Sequence, residues 1–434
     1  MVKTEMLGMI SNDTRTAFPF LGAHFATNFS RSLIFVFIPL YFIAEFGYND
    51  KEAALLMGSI VALMYLTAIF TRIPSGLKID QMQKRKVVTF SLLSNGLVFI
   101  LIMSTNSIIL IILLLIFFNY SVTIEFISVR SFMGLISQTS LGKLQTRVTA
   151  SGVFGLMVGS IIAGFVFENF EPRMIFLPSI IILLITCFIF PFLARRPEIE
   201  KIEKENIFNN EIKGGIKEAE NGKKKDSIRE KIKVLGEKNL RPIFFLFILE
   251  GIAAGMTSPY LSLYAFEVIQ VTYQEVGLLI ALASGVSAVC GFLVGTRMLD
   301  HHGTKPFIFL GLIVMALGLI VEGIAPNIII LAIGIVIVYI GIIWFVDSGI
   351  TNALRRGRRE ALALIHSGTG TAWYLGLIIG APIGAFIYVQ NPRFPFLVSA
   401  IIIFFAALMA KNFVINDLKK VAELMNNIRN YYNE

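Results

Sequence analysis

The hydrophobic residues of this chain are gathered in long blocks that are separated by short polar segments. A block of about 20 apolar residues, wound as an α-helix, crosses a hydrocarbon core about 30 Å thick. The pattern therefore predicts an all-α membrane protein with twelve transmembrane helices. We expect these helices at residues 18–45, 52–73, 87–104, 108–132, 148–168 and 174–193 and, in the second half, at 243–266, 275–298, 306–325, 327–349, 362–389 and 393–415.

Composition and the placement of charge support a multi-pass membrane protein. Of the 434 residues, 56% are hydrophobic and 15% are charged, which excludes a set of soluble domains. If residues 1–17 are cytoplasmic, every Lys and Arg falls on the cytoplasmic side except Arg31, within a helix, and the outer residues Lys51, Arg173 and Arg393. This bias obeys the positive-inside rule, so we expect both termini on the cytoplasmic side of the cell membrane. The net charge of +9 therefore implies no nucleic-acid partner.

The first six predicted helices align with the last six at an offset of 220 residues. Pairs that keep this offset are Pro39 with Pro259, Asp80 with Asp300, Pro172 with Pro392 and Arg173 with Arg393. Both Pro-Arg pairs fall in predicted outer loops, so the two halves enter the membrane with the same polarity. We therefore predict two six-helix bundles, residues 18–193 and 243–415, related by a pseudo-two-fold axis along the membrane normal.

Two polar segments flank the second bundle. Residues 194–242 carry 14 Lys and Arg against 10 Asp and Glu, so they cannot bury enough apolar surface to fold alone, and we predict a cytoplasmic linker. Residues 416–434 place apolar side chains at helical spacing among Asn, Lys and Glu, which predicts an amphipathic tail helix on the cytoplasmic surface.

The loop after the second predicted helix has a recognisable pattern. Gly76 is followed four residues later by Asp80 and then by the basic residues Lys84 and Arg85. This pattern resembles the signature loop of the major facilitator superfamily. The second half contains a related loop with Asp300, Gly303 and Lys305.

The resemblance implies a transporter whose two six-helix bundles alternate access to a central site, with the signature loops closing a cytoplasmic gate. It also implies a small-molecule substrate, a proton as the coupling ion and a monomer in the lipid bilayer. Both copies depart from the family pattern, since Gln81 and Gln83 stand where the family prefers Arg and Gly, and Thr296 where it prefers Gly.

A second resemblance concerns the glycines of the fifth predicted helix. Gly155, Gly159 and Gly164 are spaced like the glycine signature that antiporters of this superfamily carry there, which would indicate export. Gly376 and Gly380 repeat the first two at an offset of 221. Regularly spaced glycines also let two helices approach closely in a membrane, so helix packing is the alternative interpretation.

Six ionisable side chains fall within the predicted spans, namely His24, Arg31, Glu125, Glu250, Asp347 and His366. A charge at the bilayer centre costs about 2.5–3.5 kcal/mol on insertion scales, so each requires a pairing or functional explanation. On the first helix, His24, Asn28 and Arg31 stand at i, i+4 and i+7 and form one polar stripe. Arg31 and Glu250 occupy nearly equivalent positions in the two halves, which suggests a charged pair across them.

These residues suggest roles in substrate binding and proton coupling. Arg31 would attract an anionic group or stabilise a carboxylate, while Glu250, Glu125 or Asp347 would take and release a proton. His24 is an alternative proton carrier. The competing interpretation is interhelical salt bridges or water-exposed helix ends. By the same reasoning, Glu322 at an outer helix end is interpreted as interfacial.

The favoured function is proton-coupled export of small organic compounds. The alternative is an uptake symporter for a small metabolite, with an anionic one favoured by Arg31. A membrane-embedded enzyme would need clustered catalytic or metal ligands, and the chain contains no His-Glu-x-x-His motif. No Walker motif is present, so ATP is not the predicted energy source. We predict no cofactor and no metal, and a non-transporting sensor is a further alternative.

Overall fold

The computed structural model of the protein describes residues 2–79, 82–136, 141–205, 236–237, 239–302, 304–356 and 362–411. Within these ranges the chain is helical and contains no strand. Most of the predicted linker and the predicted tail helix at 416–434 lie outside the described residues.

Six helices form the first half. Helix α1 runs from Val2–Ser32 through a π-helical segment, Leu33–Phe37, into Ile38–Phe46. The others are α2 (Asp50–Ile79), α3 (Lys84–Ser104), α4 (Ile108–Ile136), α5 (Leu141–Asn169) and α6 (Leu177–Leu193), with a 3₁₀ turn at Pro172–Phe176 before α6. A short helix at residues 197–205, called the linker helix below, follows α6.

The second half repeats this order. Helix α7 comprises Arg241–Thr257, a 3₁₀ turn at Ser258–Tyr260, and Leu261–Glu267. It is followed by α8 (Tyr273–His302), α9 (Lys305–Ile324), α10 (Ile328–Arg356), α11 (Leu362–Gln390) and α12 (Phe394–Lys411).

The first helix of each half is irregular at the same place. Pro39 follows the π-helical segment of α1, and Pro259 lies in the 3₁₀ turn of α7. Proline cannot donate the helical hydrogen bond and crowds the preceding turn, so the helix changes its winding there. The two prolines are 220 residues apart, and the shared irregularity extends the predicted repeat to the backbone.

The fold class is confirmed. Among the described residues, α2 to α12 are eleven helices long and apolar enough to cross a membrane. Helix α1 completes the predicted twelve, although its apolar stretch is divided by the π-helical segment. The observed helices begin or end outside several predicted bounds, most clearly at Val2 in α1 and Arg356 in α10. Hydropathy locates only the lipid-facing part of a helix, and polar turns continue beyond it.

The predicted packing glycines bring two helices together in each half. A Cβ added at Gly155 or Gly159 would collide with the α1 backbone at Phe25 and Phe29. The second half has the same arrangement, because a Cβ at Gly376 would collide with the α7 backbone at Ile248 and one at Gly380 with the backbone at Ile252. The glycines therefore serve close helix packing in both halves.

The two halves meet along a seam, defined here as the whole surface between them, with its main contacts made by α2 with α11 and by α5 with α8. Near the predicted outer end, Gly58 faces Ala385, and Gly277 faces the carbonyl of Ser160. Near the predicted cytoplasmic end, the guanidinium of Arg72 lies against Gly370. The described contacts thus close the seam on both sides of its centre.

Candidate functional site

His24, Asn28 and Glu125 form a buried cluster between α1 and α4. The imidazole Nδ1 of His24 lies 3.2 Å from Oε1 and 3.3 Å from Oε2 of Glu125. The two side chains are 3% and 0% exposed. The amide Nδ2 of Asn28 lies 3.2 Å from Nε2 of the same imidazole. The same amide donates to the His24 carbonyl at 2.9 Å, so the three side chains form one hydrogen-bonded cluster.

Arg31, one turn farther along the polar stripe of α1, reaches the seam through an aromatic group. Its guanidinium hydrogen-bonds to Tyr65 of α2. The Tyr65 ring centroid lies 4.7 Å from that of Tyr374 and 6.1 Å from that of Trp373, both on α11. Tyr65, Trp373 and Tyr374, called the aromatic group below, thus connect Arg31 with the second half.

Glu250 of α7 lies on the other side of the aromatic group. Its side chain is within hydrogen-bonding reach of Trp373, and the residue is 2% exposed. Its Oε2 has no hydrogen-bond partner among the described residues. The contacts described for Arg31 and Glu250 therefore involve Tyr65 and Trp373, and direct pairing of the two charges stays a prediction.

Asp347 of α10 faces Arg130 of α4 across the seam. The two are within electrostatic range, and Arg130 Nη2 donates to Thr149 Oγ1 at 3.2 Å. Asp347 also borders a narrow crevice with Thr146, Thr149, Ala150, Val153, Ala288 and Ile343. Glu125 lies within electrostatic range of the same arginine, so Arg130 interacts with carboxylates of both halves.

His366, the last of the predicted intramembrane residues, lies near the same level on α11. Its ring stacks with that of Phe126 at a centroid distance of 6.2 Å. The guanidinium carbon of Arg130 lies 4.5 Å from the centroid of the same Phe126 ring. His366 therefore belongs to the seam and contacts the α4 residues near Arg130.

Arg72 of α2 is a site residue that the sequence analysis missed. It is 3% exposed, its guanidinium lies 4.8 Å from the Tyr374 ring centroid, and its Nε has no hydrogen-bond partner among the described residues. The positive-inside pattern places it with the cytoplasmic basic residues because it precedes the signature loop. Its position gives no signal of burial, since Arg72 ends the apolar span of α2 and only the packing of α11 at Gly370 buries it.

Glu322 corrects another expectation. The residue was interpreted as interfacial because it is close to the end of α9, yet it is 3% exposed. Its side chain lies where a Cβ on Gly334 of α10 would be, and its carbonyl accepts a hydrogen bond from Tyr264 at 3.1 Å. Close packing of α9 on α10 buries the carboxyl, and this contact cannot be seen in the position of Glu322 along its helix.

The described part of the signature loop is tied down by two basic residues. Lys84 is 1% exposed, and its Nζ donates to the carbonyls of Ile79 at 2.7 Å and Met82 at 3.2 Å. These bonds satisfy carbonyls at the end of α2. Gly76 lies in α2, Asp300 in α8 and Lys305 at the start of α9, while Asp80 and Gly303 lie outside the described residues.

Arg85 connects the signature loop to the linker helix. Its Nη1 donates to Glu200 Oε1 at 2.7 Å, its Nε lies 3.4 Å from Glu203 Oε2, and its backbone N–H donates to Glu203 Oε1 at 3.0 Å. The hydrogen bond from Arg85 lowers the pKa of Glu200, whereas burial raises the pKa of Glu203. The predicted gate arginine thus binds carboxylates of the linker helix.

Comparison with known proteins identifies related sequences and folds. The sequence profile of the Major Facilitator Superfamily matches residues 20–354 and 243–423. The human organic anion transporter MFSD10 (TETRAN) has a similar structure, with a TM-score of 0.67, 11% identity, and coverage of 92% of this chain and 99% of that chain.

Peptide transporters are also similar in structure. A mutant POT peptide transporter in complex with alafosfalin gives a TM-score of 0.71 at 13% identity, covering 92% of this chain and 94% of that chain. An auto-inhibited POT family peptide transporter gives 0.69 at 12% identity, covering 92% and 96%. No curated protein sequence matches this chain significantly. At these identities the structural likeness concerns the fold alone.

Proposed function

This chain belongs to the Major Facilitator Superfamily, and on that premise we propose that it is a proton-coupled secondary transporter of small organic compounds, with Glu250 as a proton-binding residue. The family makes it a multi-pass membrane transporter for a small-molecule substrate. Coupling to protons is our proposal and follows from the placement of the buried carboxyl groups.

The observation that carries the proposal is the environment of Glu250. Its carboxyl group is buried on α7, one oxygen lacks a hydrogen-bond partner among the described residues, and Trp373 of α11 adjoins it. An unpaired buried carboxylate is costly, so a group at this place favours binding a proton when water is excluded. Opening of the seam to water would let the proton leave.

Two further carboxyl groups support a coupled mechanism. Glu125 is hydrogen-bonded to the imidazole of His24, and Asp347 faces Arg130 across the seam. When the two bundles rock against each other, the contact between Glu125 and His24 is kept, because both residues belong to the first bundle. The contact between Asp347 and Arg130 is broken, because it joins the two bundles. Asp347 and Arg130 would therefore report whether the seam is closed, whereas His24 and Glu125 would keep their arrangement.

Export was the direction expected from the glycines of α5. Because the equivalent glycines of α11 pack in the same way, they support neither export nor uptake. Arg31 within α1 and the buried Arg72 favour a second candidate, uptake of a small anionic metabolite. The similarity in fold to an organic anion transporter and to peptide transporters is compatible with either direction.

Proton binding at Glu250 can be tested without knowing the substrate. The chain has two tryptophans, so Trp344→Phe leaves Trp373 as the only indole, next to Glu250. In lipid nanodiscs, the Trp373 fluorescence should change with pH in this background. The change should disappear with Glu250→Gln and persist with Glu171→Gln, a matched substitution at an exposed glutamate.

Transport itself is tested in proteoliposomes that contain the pH dye pyranine. Three probes of different charge, namely ethidium, benzoate and dialanine, are added on either side of the membrane with and without a pH gradient. We expect proton movement with at least one probe, abolished by Glu250→Gln, and the gradient polarity that drives flux distinguishes export from uptake. Probe flux that ignores the pH gradient would contradict the proposal.

A further inference from the structure

We propose that Arg72 is the anion-binding residue of the seam and takes the carboxylate of a small organic acid, whose apolar body lies against the aromatic group. The inference rests on the proposed transport function and specifies its substrate class. It is carried by the burial of Arg72, by the space that Gly370 leaves for it, and by the side chains around its guanidinium.

Arg72 is a buried cation without an anionic partner among the described residues. It is 3% exposed, and its Nε lacks any hydrogen-bond partner in that part of the chain. Its described contact is with the ring of Tyr374, 4.8 Å from the guanidinium carbon. A cation–π contact offsets only part of the free energy that burying an ion in a protein costs.

The position of the guanidinium is built into α11. A Cβ added at Gly370 would collide with the Nη atoms and Cζ of Arg72, so the absence of a side chain at residue 370 makes room for the arginine. The stem of Arg72 could otherwise extend toward the water at the helix end, about 10 Å away. The chain instead directs the charge into the seam.

The surroundings match an organic carboxylate. A guanidinium binds a carboxylate through two parallel hydrogen bonds, and the unpartnered Nε provides one donor of such a fork. Tyr65, Trp373 and Tyr374 offer ring faces and edges within a few ångströms of one another. Arg130 is a second cation within electrostatic range of Arg72, and its own charge is partly offset by the carboxyl groups of Asp347 and Glu125.

The test measures binding at fixed pH, without a gradient. The full chain in nanodiscs is titrated with radiolabelled benzoate, which carries both a carboxylate and an aromatic ring. Benzamide, which keeps the ring but lacks the charge, and hexanoate, which keeps the carboxylate but lacks the ring, serve as competitors. The variants are Arg72→Gln, Arg72→Lys and, as a matched control on the same helix, the exposed Lys78→Gln.

We expect saturable benzoate binding to the wild type and to Lys78→Gln. Arg72→Gln should weaken it at least about tenfold, because the charge-assisted hydrogen bonds to the carboxylate are lost. Arg72→Lys should give an intermediate affinity, since it keeps the charge but loses the fork. Hexanoate should compete and benzamide should not. Unchanged size-exclusion elution and thermal midpoint verify that each variant is folded.

Several results would overturn the inference. The first is that the wild type binds neither benzoate nor hexanoate. The second is that folded Arg72→Gln binds benzoate as tightly as the wild type does. The third is that benzamide competes as strongly as hexanoate. If Arg72→Gln does not fold, equal affinity in Arg72→Lys and the wild type has the same meaning. If the Trp344→Phe protein binds benzoate but its Trp373 fluorescence does not change with pH, the result counts against the proposed proton coupling and leaves the anion site in place.

Discussion

Glu125 of α4 and Asp347 of α10 occupy nearly equivalent positions in the two halves, yet their carboxyl groups interact in different directions. Glu125 is bound within its own half by His24 of α1. Asp347 faces Arg130 of the other half. Equivalent carboxyl groups thus have different structural roles. Glu125 connects two helices of one bundle, whereas Asp347 connects the two bundles.

The packing of α1 and α7 accounts for the difference. His24 directly precedes Phe25, which contacts Gly155, and Phe247 directly precedes Ile248, which contacts Gly376 in the same way. Counted from these contacts, and not from the 220-residue offset of the prolines, Phe247 stands where α1 has its histidine, and its ring packs against Phe345 of α10 at 5.0 Å. Without an imidazole on α7, the carboxyl group of Asp347 has its charged neighbour across the seam.

The largest expected effect comes from making the first half resemble the second. His24→Phe removes the hydrogen-bond partner of a fully buried carboxyl group, and hydrogen bonds to charged groups contribute about 1.5–3 kcal/mol. We expect a loss of about 3 kcal/mol in the free energy of unfolding in mixed micelles. Adding Glu125→Leu to His24→Phe should recover part of it, whereas equal stability of the single and double variants would show that the two side chains are not coupled.

A somewhat smaller effect should be the same in both halves. Gly159→Leu and Gly380→Leu each force side-chain atoms into a helix contact, and overpacking costs about 1–3 kcal/mol. We expect matched decreases in thermal midpoint. Gly134→Leu is the control, because a Cβ at Gly134 meets no atom within 4 Å. A decrease in only one half would mean that these glycines are not equivalent packing residues.

The seam pair should affect transport more than stability. Asp347→Asn or Arg130→Gln should lower proton-coupled flux in the pyranine assay about tenfold, equal to about 1.4 kcal/mol. The physical reason is that the pair contributes only while the seam is closed and so biases the equilibrium between states. The exchange Arg130→Asp with Asp347→Arg should restore part of the flux. Two additive defects in the combined exchange would exclude a direct interaction.

The sequence predicted the helices and the repeat well because both depend on local pattern. Apolar length determines a membrane span, and Pro39 and Pro259 mark equivalent helix breaks. The sequence also indicated His24, Glu125, Glu250 and Asp347 as buried ionisable residues. It did not predict which groups meet, because that depends on the rotation of each helix about its axis.

Two residues show where sequence reasoning ends. Arg72 and Glu322 are close enough to helix ends for a charged side chain to reach water, and both are buried by contacts with another helix. Gly370 on α11 makes room for the first, and Gly334 on α10 lies beside the second. A glycine of one helix opposite a charged residue of another is a tertiary feature, and no spacing within either helix shows it.

The smallest expected effect concerns Arg85 and the two carboxylates of the linker helix, which lie outside the seam. Because Arg85 lowers the pKa of Glu200, the contribution of Glu200 to stability is present above its unfolded pKa and is lost as the pH falls through the lowered value. Burial raises the pKa of Glu203, so its ionised form is the costly one in the folded protein. Hydrogen–deuterium exchange of the linker helix should therefore accelerate with Glu200→Gln near neutral pH.

Glu203→Gln is the matched control for that prediction. Its amide oxygen can still accept the hydrogen bond from the Arg85 backbone, and it removes a buried charge, so exchange should stay unchanged or become slower. Arg85→Gln should resemble Glu200→Gln. All three variants should leave the Trp373 fluorescence titration unchanged, since the linker helix contacts the first half at α3 and is not part of the seam. Faster exchange in Glu203→Gln than in Glu200→Gln would reverse the assigned roles.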